Sequence, residues 1–193
     1  MTARIAVLSA AAALALSAVP AAAPAAKPKQ PASWTKAQKD ARALFAVLRR
    51  PGKATDKLPR SARKTPPVIA SRRIGRLTGK SFYLVLRSTN VCLAVTFSTG
   101  QSAGEFCVPV AKVKAGTTVP KALESAGGAA FDFVVAVPDG ATVARTLNGV
   151  TTPQTVVSNA ALIAATPFSG TVDVTLKSGA QLKLPLGLSL QSL

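Results

Sequence analysis

The sequence predicts an α+β protein that is mainly β, an antiparallel β-sheet or sandwich-like domain with one N-terminal amphipathic helix. Three observations predict it. Apolar residues in the second half recur with the two-residue period of strands, as in Val172, Val174 and Leu176 and again in Leu182 and Leu184. Turn formers separate these runs, among them Asn148-Gly149 and Ser178-Gly179-Ala180. One stretch near the start, Lys36 to Arg50, has the 3.6-residue period of a helix instead.

Residues 1–25 read as a secretory signal peptide. Arg4 is followed by an uncharged run from Ile5 to Val19 and then a Pro/Ala stretch, the order of a charged region, an apolar region and a small-residue cleavage site. Ala23 and Ala25 supply the small residues for a cut after Ala25. The alternative is an uncleaved anchor, but the apolar run spans only about 15 residues and is half alanine, where a membrane span needs roughly 20 clearly apolar ones. The expected address is therefore secreted or cell envelope, outside the cytoplasm. Residues 26–34, with Lys27, Pro28, Lys29 and Pro31, read as a disordered basic arm.

The amphipathic helix is expected over residues 35–50. Thr35 and Gln38 have capping-box spacing, and Pro51-Gly52 ends the pattern. Ala37, Ala41, Leu44, Phe45 and Leu48 fall on one arc, and Lys36, Lys39, Arg42, Arg49 and Arg50 on the other. Such a helix either docks on its own domain's core or lies on a membrane surface, and Trp34 before the cap would anchor either. Residues 51–70 carry Pro51, Pro59, Pro66 and Pro67 among basic residues, which predicts an extended connection.

A single β-rich domain is expected over 71–188. Its first strands are Arg72 to Leu77 and Ser81 to Arg87 across Thr78-Gly79-Lys80, then Val91 to Phe97 and Glu105 to Val110. Val110 to Lys114 reads as a helical turn, and Lys121 to Gly127 is weakly patterned. Phe131 to Val137 is a continuous apolar strand of the kind buried on both faces or central in a sheet, stopped by Pro138-Asp139-Gly140. Thr142 to Leu147 and Val150 to Val157 form a hairpin across Asn148-Gly149, with Pro153 placing the second strand at an edge or bulge. Ala161 to Ala165 is a short strand, and Thr171 to Lys177 pairs with Gln181 to Leu186 in a last hairpin.

Cys92 and Cys107 fall on neighbouring strands or at their ends. In an oxidising compartment a disulfide is the expectation, worth roughly 3 kcal/mol by loop entropy. The alternatives are buried free thiols or a redox pair, and the latter lacks a Cys-x-x-Cys spacing.

Charge divides the chain. Of 24 Lys and Arg, 16 lie in residues 27–80 against two acids, while residues 81–193 are close to balanced with seven against five. Such a block is the footprint of a polyanion partner, whether nucleic acid, anionic lipid headgroups or acidic cell-envelope polymers, or else a solvated face and linker. The candidates for polyanion contact are Lys36, Lys39, Arg42, Arg49, Arg50, Arg72 and Arg73. No aromatic interleaving for base stacking accompanies them. The alternative partner is a protein, held by the β-domain with the basic block as a tether.

The residues needed for most chemistry are missing. The absence of histidine removes Ser-His and Cys-His nucleophile systems and the commonest metal ligand. The seven carboxylates are scattered and each has an ordinary alternative role, Asp139 in a turn, Asp173 outward on a strand, Asp40 beside Lys36. No Ser-x-x-Lys motif has a supporting context and no glycines are spaced to cradle phosphate. The expectation is a non-enzymatic protein with no cofactor, no metal and no small-molecule substrate.

The segment Ala43-Leu44-Phe45-Ala46-Val47-Leu48-Arg49-Arg50-Pro51, the strand pair holding Cys92 and Cys107, and the stretch from Phe131 to Leu184 with Val134-Val135-Ala136-Val137-Pro138-Asp139-Gly140-Ala141, an Asn-Gly hairpin and Asn159 resemble uncharacterised secreted actinobacterial proteins with a signal peptide and a small disulfide-bearing β-domain. The resemblance implies a fold and an address and no activity.

Overall fold

The structure is a computed structural model that describes residues 33–63, 67–124, 131–166 and 169–186. The expected signal peptide, residues 1–25, and residues 26–32 of the expected arm lie outside the described residues. The chain is a mainly β, α+β domain. Among the described residues its strands form three four-stranded antiparallel sheets.

The first helix, α1 (Lys36–Leu44), opens on the expected capping box: Gln38 N–H donates to Thr35 Oγ1 at 3.3 Å and Thr35 N–H to Gln38 Oε1 at 3.0 Å. The single helix expected over 35–50 does not form. Phe45 adopts an extended conformation, φ −125° and ψ 104°, and a separate turn, α2 (Ala46–Arg49), follows it. The reason is long-range. Ala46 N–H donates to Asp139 Oδ1 at 2.8 Å and Val47 N–H to Asn159 Oδ1 at 2.9 Å, acceptors 93 and 112 residues further along the chain. The carbonyls of Arg42 and Ala43, which those N–H groups would have served in a continuous helix, accept instead from Arg49 Nη1 at 2.8 and 3.1 Å. The Leu44 carbonyl accepts from Asp139 N–H at 2.8 Å. With the backbone satisfied, the break turns Phe45 into the core, where it is fully buried beside Ala41, Val47 and Leu48.

The connection over 51–70 is less extended than expected. It contains two 3-10 turns, Ala54–Asp56 and Arg60–Ala62, and strand β1 (Val68–Leu77) starts before Arg72. Leu58 and Ala62 are buried against Tyr83, Val85, Cys92 and Ala94. They cover one face of a sheet of β1, β2 (Lys80–Arg87), β3 (Asn90–Phe97) and β4 (Ser102–Pro109), joined in that order. Alternation then sends Phe82, Leu84, Leu86, Val91, Leu93 and Val95 to the other face, where α1, α2 and α3 (Val110–Lys114) pack. Cys92 and Cys107 stand directly opposite each other on β3 and β4 and form a disulfide.

The second sheet has the order β5 (Val119–Glu124), β6 (Phe131–Ala136), β10 (Ala160–Thr166) and β9 (Val156–Val157). Strand β5 was not expected from its pattern, because Pro120 and Lys121 interrupt it. Both are tolerated at the edge of a sheet. Strand β6 is buried along its length and feeds two cores: Val134 and Ala136 face the first sheet and the helices, Phe131, Phe133 and Val135 face the third sheet. That sheet has the order β12 (Gln181–Pro185), β11 (Thr171–Thr175), β7 (Thr142–Leu147) and β8 (Val150–Gln154). Asn148 and Gly149 both take positive φ, 50° and 78°, as the two-residue hairpin requires. The expected strand from Val150 to Val157 is divided between two sheets: β8 is the edge of the third, with Pro153 opposite Ala144, and β9 is the edge of the second.

Asn159 links these parts. Its Nδ2 also donates to the Val137 carbonyl at 3.1 Å and to Asp139 Oδ1 at 2.7 Å, from a left-handed backbone with φ 64°. Asn159→Ala leaves the buried Val47 N–H and Val137 carbonyl unpaired and puts an alanine at positive φ, so it is expected to cost about 3 kcal/mol. Urea unfolding checks this by a lowered midpoint with an unchanged slope.

Candidate polyanion-binding surface

The seven basic candidates do not form one patch. Among them, Arg49, Arg50 and Arg72 are built into the fold by their side chains and Arg73 by its backbone. Arg49 Nη2 pairs with Asp139 Oδ2 at 2.8 Å while its Nη1 closes the helix break. Arg50 makes a two-pronged pair with Asp56, both N···O distances being 2.8 Å, and donates to the Arg73 carbonyl at 3.2 Å. Arg72 donates through Nε and Nη2 to the Arg50 carbonyl at 3.0 and 2.7 Å. Arg73 contributes its backbone, its N–H donating to Asp56 Oδ1 at 2.8 Å. Guanidinium suits this role because its fixed fork of donors matches a carboxylate or two carbonyl lone pairs.

Asp56 is the centre of that cluster. Its side chain is buried, which opposes ionisation, but the Arg50 pair and the N–H groups of Lys53 and Arg73 outweigh burial and hold its carboxyl at about 2. At Asp139 burial is likewise outweighed, by hydrogen bonds from Asn159, the Ala46 N–H and Arg49, and its pKa is lowered.

The remaining three candidates lie on α1 and face outward. Lys36 has 88% of its side chain exposed and stands 3.6 Å from Asp40 Oδ2. Lys39 is exposed, and the Arg42 guanidinium sits 4.5 Å from the centre of the Trp34 ring. Trp34, Ala37 and Leu44 pack against the core, so α1 docks on its own domain and its apolar arc is unavailable to a membrane. Helix α3 packs beside α1 and adds two cations that the sequence did not single out, Lys112 and Lys114. Lys114 Nζ lies 3.3 Å from Asp40 Oδ1 and lowers that carboxyl's pKa. Lys36 and Lys114 thus share the Asp40 carboxylate across the α1–α3 contact, with Lys39, Arg42 and Lys112 on the same two helices. Lys112 and Lys114 were missed because they are distant in sequence and their segment is near neutral. Lys53, Lys57 and Arg60 are exposed too, on the connection over the opposite face of the first sheet.

Other arrangements offer less. The ligand atoms of Cys92, Glu105 and Cys107 lie within 4.8 Å of one another, but the thiols are joined and Glu105 takes Arg87 Nε and Nη2 at 2.8 to 3.1 Å. A shallow cleft of about 330 Å³ is lined by Ala46, Val47, Arg50, Asp139, Val156 and Asn159. Its charged and amide side chains, Arg50, Asp139 and Asn159, are the ones that hold α2 and Asp56, so they are committed to the fold. Among the described residues no helix is long and apolar enough to cross a membrane.

The Asp56 pKa falls from an ordinary 3.8 to about 2 on folding, so its stabilisation is complete above the unfolded value and is lost as pH falls through the folded one. Acid unfolding of the wild type is expected to draw about 2 kcal/mol from this group between roughly pH 5 and pH 2. Asp56→Asn is expected to be less stable at pH 7 and to show a flatter stability profile over that window. No family model, curated protein or solved structure matches the chain, so no functional residue is carried over from a relative.

Proposed function

We propose that this is an exported, non-enzymatic β-domain that binds polyanionic envelope surfaces through the cations of α1 and α3. The observation that carries the reading is that the packed helices α1 and α3 bear five cations, Lys36, Lys39, Arg42, Lys112 and Lys114, against one carboxylate, Asp40, which Lys36 and Lys114 share. Export is supported by the order of the leader and by a disulfide, which suits an oxidising compartment. Because the apolar arc of α1 is buried, attachment is by charge alone, to phosphate, carboxylate or sulfate groups, without insertion into acyl chains. Such contacts act collectively and weaken steeply with salt.

A second reading, a protein–protein module, is favoured by the exposed apolar residues on two sheet edges, where Val150 on β8 is 66% and Val157 on β9 is 58% exposed.

Deleting the basic segment does not separate the two, since it would strip Phe45, Leu48 and Leu58 from the core. The combined variant Lys36→Gln, Lys39→Gln, Lys112→Gln and Lys114→Gln removes charge at exposed positions and is expected to leave the melting temperature close to that of the wild type. On a heparin column and with anionic liposomes, the wild type is expected to be retained in low salt and released as salt rises, with the variant released much earlier. Retention that ignores salt or the substitutions contradicts the proposal and turns attention to the β8–β9 edge.

A further inference from the structure

We propose that Lys80 and Asp132 are the two halves of an intramolecular amide cross-link between the first and second sheets. Lys80 opens β2 with 8% of its side chain exposed, Asp132 lies in β6 with none exposed, and Lys80 Nζ is 2.8 Å from Asp132 Oδ2. Asp132 alternates along β6 with Val134 and Ala136 and points into the same apolar layer. Two charges held there have lost their hydration, and their mutual attraction repays that loss poorly. A neutral amide in the same place removes both charges.

The atoms balance without any other reactant. One proton passes from the Lys80 ammonium to the Asp132 carboxylate, leaving an amine and a carboxylic acid. The lone pair of Nζ adds to Cγ, and the bond from Cγ to Oδ2 breaks. Oδ2 departs as water with two of the three ammonium protons, and the third stays on the amide nitrogen. The fold supplies the proximity that makes such a step fast, since both side chains are held in place and bulk water is excluded.

The turn before β2 gives an independent reason to read this site as built. Thr78 occupies a left-handed conformation, φ 44°, where a β-branched residue is strained and Asn or Gly is the ordinary choice. Its hydroxyl donates to Asp132 Oδ2, the oxygen that leaves. A strained residue that aims a hydroxyl at a buried carboxylate is a feature of reactive sites. Thr78 hands protons to the departing oxygen, and Gly79, at φ 74°, completes the tight turn that presents Lys80.

The experiment is intact-mass spectrometry of the full chain after reduction and alkylation of the disulfide, with Lys80→Arg made in the same way. The wild type is expected to fall short of its sequence mass by one water, and Lys80→Arg, which keeps the charge but has no amine to accept the acyl group, to show no deficit. Should Lys80→Arg not accumulate, a tryptic digest of the wild type decides alone: the cross-link gives a branched peptide joining the segment of Lys80 to that of Asp132. Thr78→Val is expected to raise the fraction of molecules lacking the bond. A wild type at full sequence mass, with Lys80 taking an amine-reactive label after unfolding, overturns the proposal.

Discussion

Asp139 and Asn159 each give a side-chain oxygen to a backbone N–H at the start of α2, and the arrangement of the N-terminal region depends on that exchange. A helix running unbroken from Thr35 to Arg50 would have kept those N–H groups for its own carbonyls and left Phe45 and Leu48 on a continuing spiral. The break instead drops Phe45 and Leu48 into the core beside β2 and β3, and leads Arg50 to Asp56. Asp56 in turn gathers Lys53, Arg73 and Arg50, so the connection folds back against the first sheet and seals its second face with Leu58 and Ala62. Residues 33–63 are thereby part of the domain rather than a tether attached to it.

Much of the β architecture was legible because its causes are local. Alternation along Val172, Val174, Leu182 and Leu184 fixes the last hairpin, Asn148-Gly149 fixes the turn before β8, and Pro153 marks β8 as an edge. The uninterrupted apolar run of β6 reflects a strand that feeds two cores, one on each face. What could not be read depends on partners far along the chain. The helical period of residues 36–50 carries no sign that Asp139 and Asn159 interrupt it, and Asp139 looks like an ordinary turn residue. Strand β5 is hidden by Pro120 and Lys121, which only its edge position makes tolerable. The strand over 150–157 changes sheets at a point where the sequence pattern is continuous.

The candidate surface shows the same division. Among the described residues the charge run overstates what faces outward, because arginines and lysines have separate duties. Arg49, Arg50 and Arg72 close helix and loop carbonyls or grip carboxylates, work for which a planar fork of donors is suited. Lys36 and Lys39 remain outside, and Lys112 and Lys114 join them from a segment whose overall charge gives no hint of it. The disulfide was legible in position because Cys92 and Cys107 sit on adjacent strands, but only the register brings them directly opposite.

The bonds from Asp139 and Asn159 hold the helical segment over residues 36–49 as firmly as the strands it covers. Native-state hydrogen exchange of the Ala46 and Val47 amides measures this directly, with the amides of β6 as the internal standard. The expected result is exchange of Val47 only with global unfolding, at the same free energy as β6. Exchange of Ala46 and Val47 at rates near those of a free peptide, while β6 stays protected, would contradict the account and make the segment a detachable arm.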